Sequence, residues 1–310
     1  MTYKDFKPLK SNSAKGWRCG LAAVVAGFGV ALSNGTANAI DIAPGDYAVL
    51  PSGTFLGLTY FLYSSSDSLD INGDIASSEL NTAVGLLRGV YYSEIGGVPV
   101  SAQAILPVGA ITDASIGGTD QSISDGFGDL TLGFTVYPVN TQDPEYGTTI
   151  GLTTFVTAPT GNYDVNDISL GSGTWTITPQ IGVIQGIGNG FFVDAAVDVA
   201  FKADHTEGGS KRSRHPSTEA QLYLRYQLNE KASVSFGYAG FFGGASETDG
   251  TETGLKTRSD QLRVFANAFV TPTVQVQGML GTDLNAEGGF KQNISTQLRL
   301  LKVFCGVRTW

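Results

Sequence analysis

Cysteine, histidine and charged residues are all scarce in this chain of 310 residues, which has 2 Cys, 2 His and only 15% charged residues. Two cysteines cannot build a disulfide framework or a cysteine-rich metal site. Low charge combined with 42% hydrophobic residues is the opposite of a disordered composition. The net charge of -9 gives no electrostatic basis for binding nucleic acid, so that class of partner is excluded.

Long hydrophobic runs are also missing. The longest covers residues 20–32, about 13 residues, which is too short to cross a bilayer of about 30 Å as a helix. It follows a basic stretch and precedes Ala37-Asn38-Ala39, the A-x-A pattern of a signal-peptidase site. We therefore expect residues 1–39 to be a secretory signal peptide cleaved after Ala39. The alternative is an uncleaved amphipathic anchor.

Glycine, in contrast, is abundant at 41 residues, which disfavours a helical protein. From Phe191 to Phe201 every second residue is apolar, whereas the positions between them include Asp194 and Asp198. Successive strand side chains point to opposite faces, so this segment predicts a strand with one apolar and one charged face. The same template predicts about twelve strands, at residues 53–63, 80–92, 98–106, 127–137, 148–158, 174–186, 190–202, 218–228, 233–243, 260–270, 273–282 and 293–304.

The predicted connections alternate between long polar loops and short turns, which is typical of outer-membrane barrels. The fold class is therefore predicted to be all-β, a single antiparallel transmembrane up-and-down β-barrel over residues 53–304. Residues 40–52 are expected to form a periplasmic N-terminal segment that caps the periplasmic mouth, and residues 305–310 a short tail. The number of strands becomes fourteen if residues 40–50 form a paired strand and one of the long loops contains another. A secreted sandwich or adhesin also alternates, but gives no reason for loop lengths to alternate.

The polar face of the strands is expected to line the lumen, either contacting a solute or only packing and hydrating the interior. Its residues are Asp129, Asp194, Asp198, Lys202, Glu219, Gln221, Tyr223, Arg225, Gln227, Arg263, Asn267, Gln275, Gln277, Gln297 and Arg299. Pairing of neighbouring strands places Asp194 near Arg225. Aromatic residues on the apolar face are expected at the two membrane–water interfaces. They are Tyr92, Trp175, Phe191, Phe201, Tyr226, Phe242 and Phe304.

Three further motifs offer alternatives to transport. Residues 211–215, KRSRH, form a basic loop that either binds lipopolysaccharide phosphates or is simply solvated. His215-Pro216-Ser217 resembles the H-x-S of a barrel phospholipase, but a hydrolase also needs a third group to orient its base. Residues 70–74 begin like a calcium loop, yet glycine stands at the fourth place instead of the sixth. We expect no metal site, no cofactor and no catalytic residues.

Several motifs together resemble a known family. They are Asp46-Tyr47 followed by Leu50-Pro51, the run GFGD at 126–129, APTGNYD at 158–164 and LGSGTWTITPQIG at 170–182. These resemble the outer-membrane barrel family named for the meta-pathway of phenol degradation, over most of the chain from about Asp46. The resemblance implies a barrel in the cell outer membrane that passively admits small hydrophobic or aromatic compounds, surrounded by lipid and lipopolysaccharide. A closed structural or adhesive barrel is the main alternative, and a lipid hydrolase is a weaker one.

Overall fold

The computed structural model describes residues 40–71, 73–141, 143–164, 167–207, 209–252 and 256–304. The predicted signal peptide with its cleavage site at Ala39, and the predicted tail at 305–310, lie outside these residues. Twelve long strands make up most of the described chain: β1 (Phe55–Ile71), β2 (Asp74–Ile95), β3 (Val98–Ile116), β4 (Leu130–Asn140), β5 (Thr148–Ala158), β6 (Thr176–Gly188), β7 (Phe191–Lys202), β8 (Ser217–Asn229), β9 (Ala232–Gly243), β10 (Thr257–Thr271), β11 (Val274–Glu287) and β12 (Phe290–Phe304).

The sheet of these strands closes on itself. β1 pairs with β2 along one side and with β12 along the other, from Phe55 opposite Phe304 to Leu69 opposite Phe290. Every other long strand pairs antiparallel with its neighbours in sequence, so the closed barrel has no free long edge. The predicted all-β, twelve-strand antiparallel barrel is confirmed. Within the described ranges, no helix is long and apolar enough to span a membrane.

Two predicted long loops are wrong, because their residues continue the strands. β1 and β2 extend beyond their predicted ends at 63 and 80 until Ile71 lies opposite Asp74. The sequence between them is Asn72-Gly73, a typical two-residue hairpin signal, and Gly73 has a φ of 89°. β11 and β12 likewise continue as far as the turn at 288–289. Polar composition at these positions therefore marks strand ends that lie beyond the membrane rather than irregular loops.

The two ends of the barrel differ, and we call them the loop end and the turn end. Short connections at 96–97, 189–190, 230–231 and 272–273, with a longer one at 141–147, define the turn end. At the loop end the long connections contain short strands. Thr119–Asp120 and Gly126–Phe127 pair with β3 of the barrel. Two small separate sheets consist of Ile123–Ser124 with Ile168–Ser169, and of His205–Glu207, Ser210–Arg214, Ser246–Thr248 and Thr251–Glu252.

The outer surface of the barrel is apolar. Leu222 and Leu224 on β8 are 54% and 48% exposed, and Val197 on β7 is 45% exposed. On the same two strands Asp194 and Glu219 are buried inside. This distribution is the inverse of a soluble protein's, and it suits a barrel whose outer face meets hydrocarbon.

Candidate functional site

The barrel interior is occupied by the chain's own N-terminal part. The sequence predicts that residues 40–52 cap the periplasmic mouth, whereas the structure places residues 40–50, which we call the plug, inside the barrel. Ile42 and Tyr47 are each only 6% exposed. The Ile42 N–H donates to Gln221 Oε1 at 3.0 Å, and the Gly45 N–H donates to Asp194 Oδ1 at 3.0 Å. Hydrogen bonds to the inward face of the strands therefore fix the plug across the lumen.

Tyr47 seats the plug against β5 and β6. Its hydroxyl lies 2.9 Å from Thr153 Oγ1 and donates to Gln180 Oε1 at 2.8 Å. Gly151 and Gly182 are paired opposite each other on these two strands. A Cβ at Gly182 would lie 1.9 Å from the Tyr47 ring, and one at Gly151 would lie 2.4 Å from it. The two glycines form a niche that only the absence of side chains keeps open.

Asp46 anchors the plug on the opposite wall. Its carboxylate oxygens lie 3.0 Å from an Arg88 nitrogen and 2.7 Å from an Arg299 nitrogen. Burial raises the pKa of Asp46, but the charges of Arg299 and Arg88 outweigh burial, so this pKa lies below its ordinary value. A third ion pair joins Asp41 of the plug to Arg263 at 2.7 Å. The plug therefore supplies carboxylates to arginines of three different strands.

The plug separates two spaces of very different size. On its loop-end side lies a cavity of about 50 Å³, lined by residues that include Tyr60, Phe241 and Phe265. On its turn-end side lies a vestibule of about 580 Å³, whose lining includes Leu56 and Val90. Aromatic and aliphatic side chains pack around the plug in one continuous cluster. The interior is consequently much more apolar than the predicted polar face alone suggests.

A second apolar cluster lies at the loop end. It comprises Leu69, Leu80, Ile111, Ala114, Ile116, Ile168 and Phe290, all buried. Leu69, the three β3 residues and Phe290 lie in parts of β1, β3 and β12 beyond the predicted strands. Leu80 lies at the predicted start of β2, and Ile168 lies in the loop after β5. The extension of the strands beyond their predicted ends is what brings them together.

Most residues that the sequence assigns to the lumen face inward and are engaged in contacts there. The predicted pairing of Asp194 with Arg225 is confirmed by a distance of 2.8 Å. Tyr223 and Gln277 are 0% exposed. Gln221, Arg263 and Arg299 bond to the plug, and Gln275 accepts from Arg299 at 2.9 Å. The remaining inward residues are Asp198, Lys202, Glu219, Gln227, Asn267 and Gln297.

Asp129 has a different role from the predicted lumen lining, because its carboxylate is saturated by a loop. Oδ1 accepts from the Gly161 N–H at 2.8 Å, and Oδ2 accepts from the N–H and hydroxyl of Ser172 at 2.7 and 2.6 Å. A Cβ at Gly161 would lie 2.6 Å from the Gly128 carbonyl carbon. The motifs GFGD and APTGNYD thus meet here, and they hold the loop after β5 on the start of β4.

Six of the seven predicted interface aromatics are exposed on the outside, namely Trp175, Phe191, Phe201, Tyr226, Phe242 and Phe304. Tyr92 is the exception and the prediction is wrong there. It is 4% exposed, stacks on Tyr137 at 6.5 Å, and donates to the Ala48 carbonyl at 3.2 Å. The physical reason is that the apolar face of β2 points inward, where it packs against the plug, while Tyr91 takes the outer position.

Sequence reasoning missed Arg88, Asp46, Tyr47 and the two niche glycines. Arg88 lies on the inward, mostly apolar face of β2, and a single charge on such a face is a signal of a buried partner. Asp46 and Tyr47 precede the first strand. Outside a strand the side chains do not alternate between two faces, so the sequence pattern does not show which way these residues point.

In the described part of the chain, no cluster of three or more His, Cys, Asp or Glu is suited to hold a metal ion.

A closed antiparallel barrel with an apolar outer belt, mostly short turns at one end, and extended hairpins with long loops at the other defines the class of outer-membrane barrel proteins. This confirms the predicted location in the outer membrane. The family described as "Putative MetA-pathway of phenol degradation" matches residues 37–300. The chain belongs to this family, as its motifs predict.

Several solved structures are similar to this chain. The COG4313 outer membrane channel from Pseudomonas putida F1 is 31% identical, with a TM-score of 0.77, covering 85% of this chain and 100% of that one. The transport unit of the autotransporter AIDA-I from Escherichia coli is 10% identical with a TM-score of 0.48, covering 91% and 99%. The CymD monoaromatic hydrocarbon channel is 11% identical with a TM-score of 0.42, covering 91% and 98%. Neither of the last two similarities supports an inference about this chain. No curated protein is significantly similar to it.

Proposed function

We propose that this protein is an outer-membrane channel for the passive uptake of small hydrophobic or aromatic compounds. The observation that carries the proposal is the vestibule at the turn end, where apolar and aromatic side chains line the space beside the ion pairs of the plug. The turn-end vestibule of about 580 Å³ is within the range of small-molecule sites, and its lining includes Leu50, Tyr92, Phe192 and Val303. Its relative from Pseudomonas putida F1 is an outer membrane channel, which supports the same class of function.

If the turn end faces the periplasm, as an exported barrel requires, then the loop end with its buried apolar cluster around Leu69, Ile116 and Phe290 lies on the extracellular side. This cluster packs the extended strand ends against each other and exposes no surface to a solute. Passage then follows the concentration gradient, and we propose no cofactor. The exposed outer belt is in contact with membrane lipid.

We propose no enzymatic role. In the hydrolase alternative, His215 must act on Ser217. Glu247 Oε1 lies 2.8 Å from His215 Nε2, as an orienting acid would, but among the described residues no hydrogen bond joins His215 to Ser217. The His215 side chain is 60% exposed at the loop end. Its basic neighbour Lys211 pairs with Asp204 at 2.8 Å. The motif is therefore part of the surface sheet of the loops, a structural setting.

The test compares solute uptake by proteoliposomes and by cells that express the protein. We expect faster uptake of an aromatic compound than in cells without the protein, and little swelling of liposomes in sugars. Val303→Trp fills the vestibule and should slow aromatic uptake, whereas Leu300→Trp on the outer face, 41% exposed, is the matched control and should not. Equal uptake with and without the protein would instead support a closed structural or adhesive barrel.

A further inference from the structure

Two buried carboxylates of the barrel interior lack a cation. Asp198 on β7 lies directly opposite Glu219 on β8, and they are 5% and 4% exposed. Among the described residues, no ion pair includes either of them, and the nearby Arg263 already pairs with Asp41 at 2.7 Å. Glu219 Oε2 is buried and has no hydrogen-bond partner in the described part of the protein. Buried carboxylates without a compensating charge are strongly disfavoured.

The first residue of the plug lies beside these carboxylates. Gln180 Nε2 donates both to the Ile40 carbonyl at 3.0 Å and to Asp198 Oδ2 at 2.9 Å. Gln221 Nε2 donates to Glu219 Oε1 at 2.7 Å and to Asp41 Oδ1 at 2.6 Å. The Ile40 nitrogen is three covalent bonds from its own carbonyl oxygen, about 4 Å at most. The residue that carries this nitrogen therefore shares the Gln180 amide with Asp198.

We propose that Asp198 and Glu219 form a binding site for the α-ammonium group of Ile40, which cleavage of the Ala39–Ile40 bond creates. This inference rests on the predicted cleavage site and goes beyond the proposed transport function. A leader peptidase adds water across the peptide bond, so that Ala39 leaves as a carboxylate and the Ile40 nitrogen takes up protons to become a cation. An uncleaved chain offers only a neutral N–H at this place. Cleavage thus supplies one positive charge, which the two carboxylates share.

The first measurement identifies the terminus and its accessibility in purified mature protein. Intact mass and N-terminal sequencing should give Ile40 as the first residue. An amine-reactive ester should then acylate the Ile40 amine about ten or more times more slowly in the folded barrel than in the denatured chain. The reason is that a buried, paired amine reacts only when the structure opens locally. A different first residue, or equal acylation rates in both states, would overturn the proposal.

The second measurement uses variants that keep the shapes of the side chains. Asp198→Asn with Glu219→Gln should raise the acylation rate of the folded protein towards that of the denatured chain. Asp283→Asn is the matched control: Asp283 is also buried in the interior but bonds to Gln261 and to the Gln292 backbone, not to the plug. An unchanged rate in the double variant would contradict the proposal. Because the readout is amine chemistry, it is independent of solute transport.

Discussion

Tyr47 and the paired glycines beneath it decide whether the plug can seat. Because a Cβ at Gly182 would lie 1.9 Å from the Tyr47 ring, Gly182→Ala should displace the ring and lower the free energy of unfolding by about 1–3 kcal/mol, the usual range for overpacking. Conductance in planar bilayers should rise, since the displaced plug no longer fills the lumen. Unfolding in urea and single-channel recording measure the two effects.

The control for Gly182→Ala is Gly278→Ala, where no atom lies within 4 Å of the added Cβ. It should leave both quantities at the values of the unmodified protein. In a Tyr47→Ala background, Gly182→Ala should cost much less stability than it does in the unmodified protein, because the ring that clashes is then absent. Unmodified conductance and stability in Gly182→Ala would show that the niche does not hold the plug.

At the scale of a single element, the loop after β5 depends on one carboxylate. Asp129→Ala removes three hydrogen bonds to Gly161 and Ser172, each worth about 1.5–3 kcal/mol when one partner is charged. We expect this loop to exchange amide hydrogens and to be cut by protease faster, while the melting temperature of the barrel changes little. Asp113→Ala, whose exposed carboxylate accepts one bond from Asn81 at 3.2 Å, is the control. Equal protection of residues 167–173 in both variants would refute this role.

The strands show which elements the sequence predicts well. β7 and β8 alternate strictly, since one face meets lipid and the other polar groups, and their ends are predicted within a residue or two. On β2 the alternation misleads, because both faces are largely apolar: Leu87 is 50% exposed outside, while Val84 packs inside. A period of two defines the faces of a strand but not which face is inside. The plug has no such period, so its position follows only from contacts distant in sequence.

The recognised motifs illustrate a related limit. GFGD and APTGNYD identify the family from the sequence, yet they form a junction between a loop and a strand instead of a solute site. Their glycines allow the backbone of Gly161 to approach Gly128 closely, and their aspartate closes the junction. A motif with strict residue requirements therefore indicates close packing here, and the candidate site is built from residues scattered over many strands.

At the scale of the whole molecule, the plug and the barrel complete each other electrostatically. The salt bridges of Arg88, Arg263 and Arg299 in the described residues all run to Asp46 or Asp41 of the plug. A barrel without its plug would leave three inward arginines without these partners, a costly arrangement in a desolvated interior. Transport therefore occurs in one of two ways. Either these ion pairs break and the plug moves, or the plug stays in place and the solute passes beside it.

The pH dependence of conductance distinguishes these two modes of opening. The pKa of Asp46 lies below its ordinary value of 3.8 because Arg299 and Arg88 outweigh the effect of burial. A lowered pKa means that the stabilisation is fully present above the ordinary pKa and is lost as the pH falls through the lowered one. Ion conductance should therefore stay low from neutral pH down to about 4 and rise only below pH 4, whereas the Asp46→Asn variant should conduct already at pH 7.

The control is Asp67→Asn, which changes an exposed carboxylate and should leave the channel closed at pH 7. If Asp46→Asn is as closed as the unmodified protein, the ion pairs do not hold the plug and solutes pass beside it.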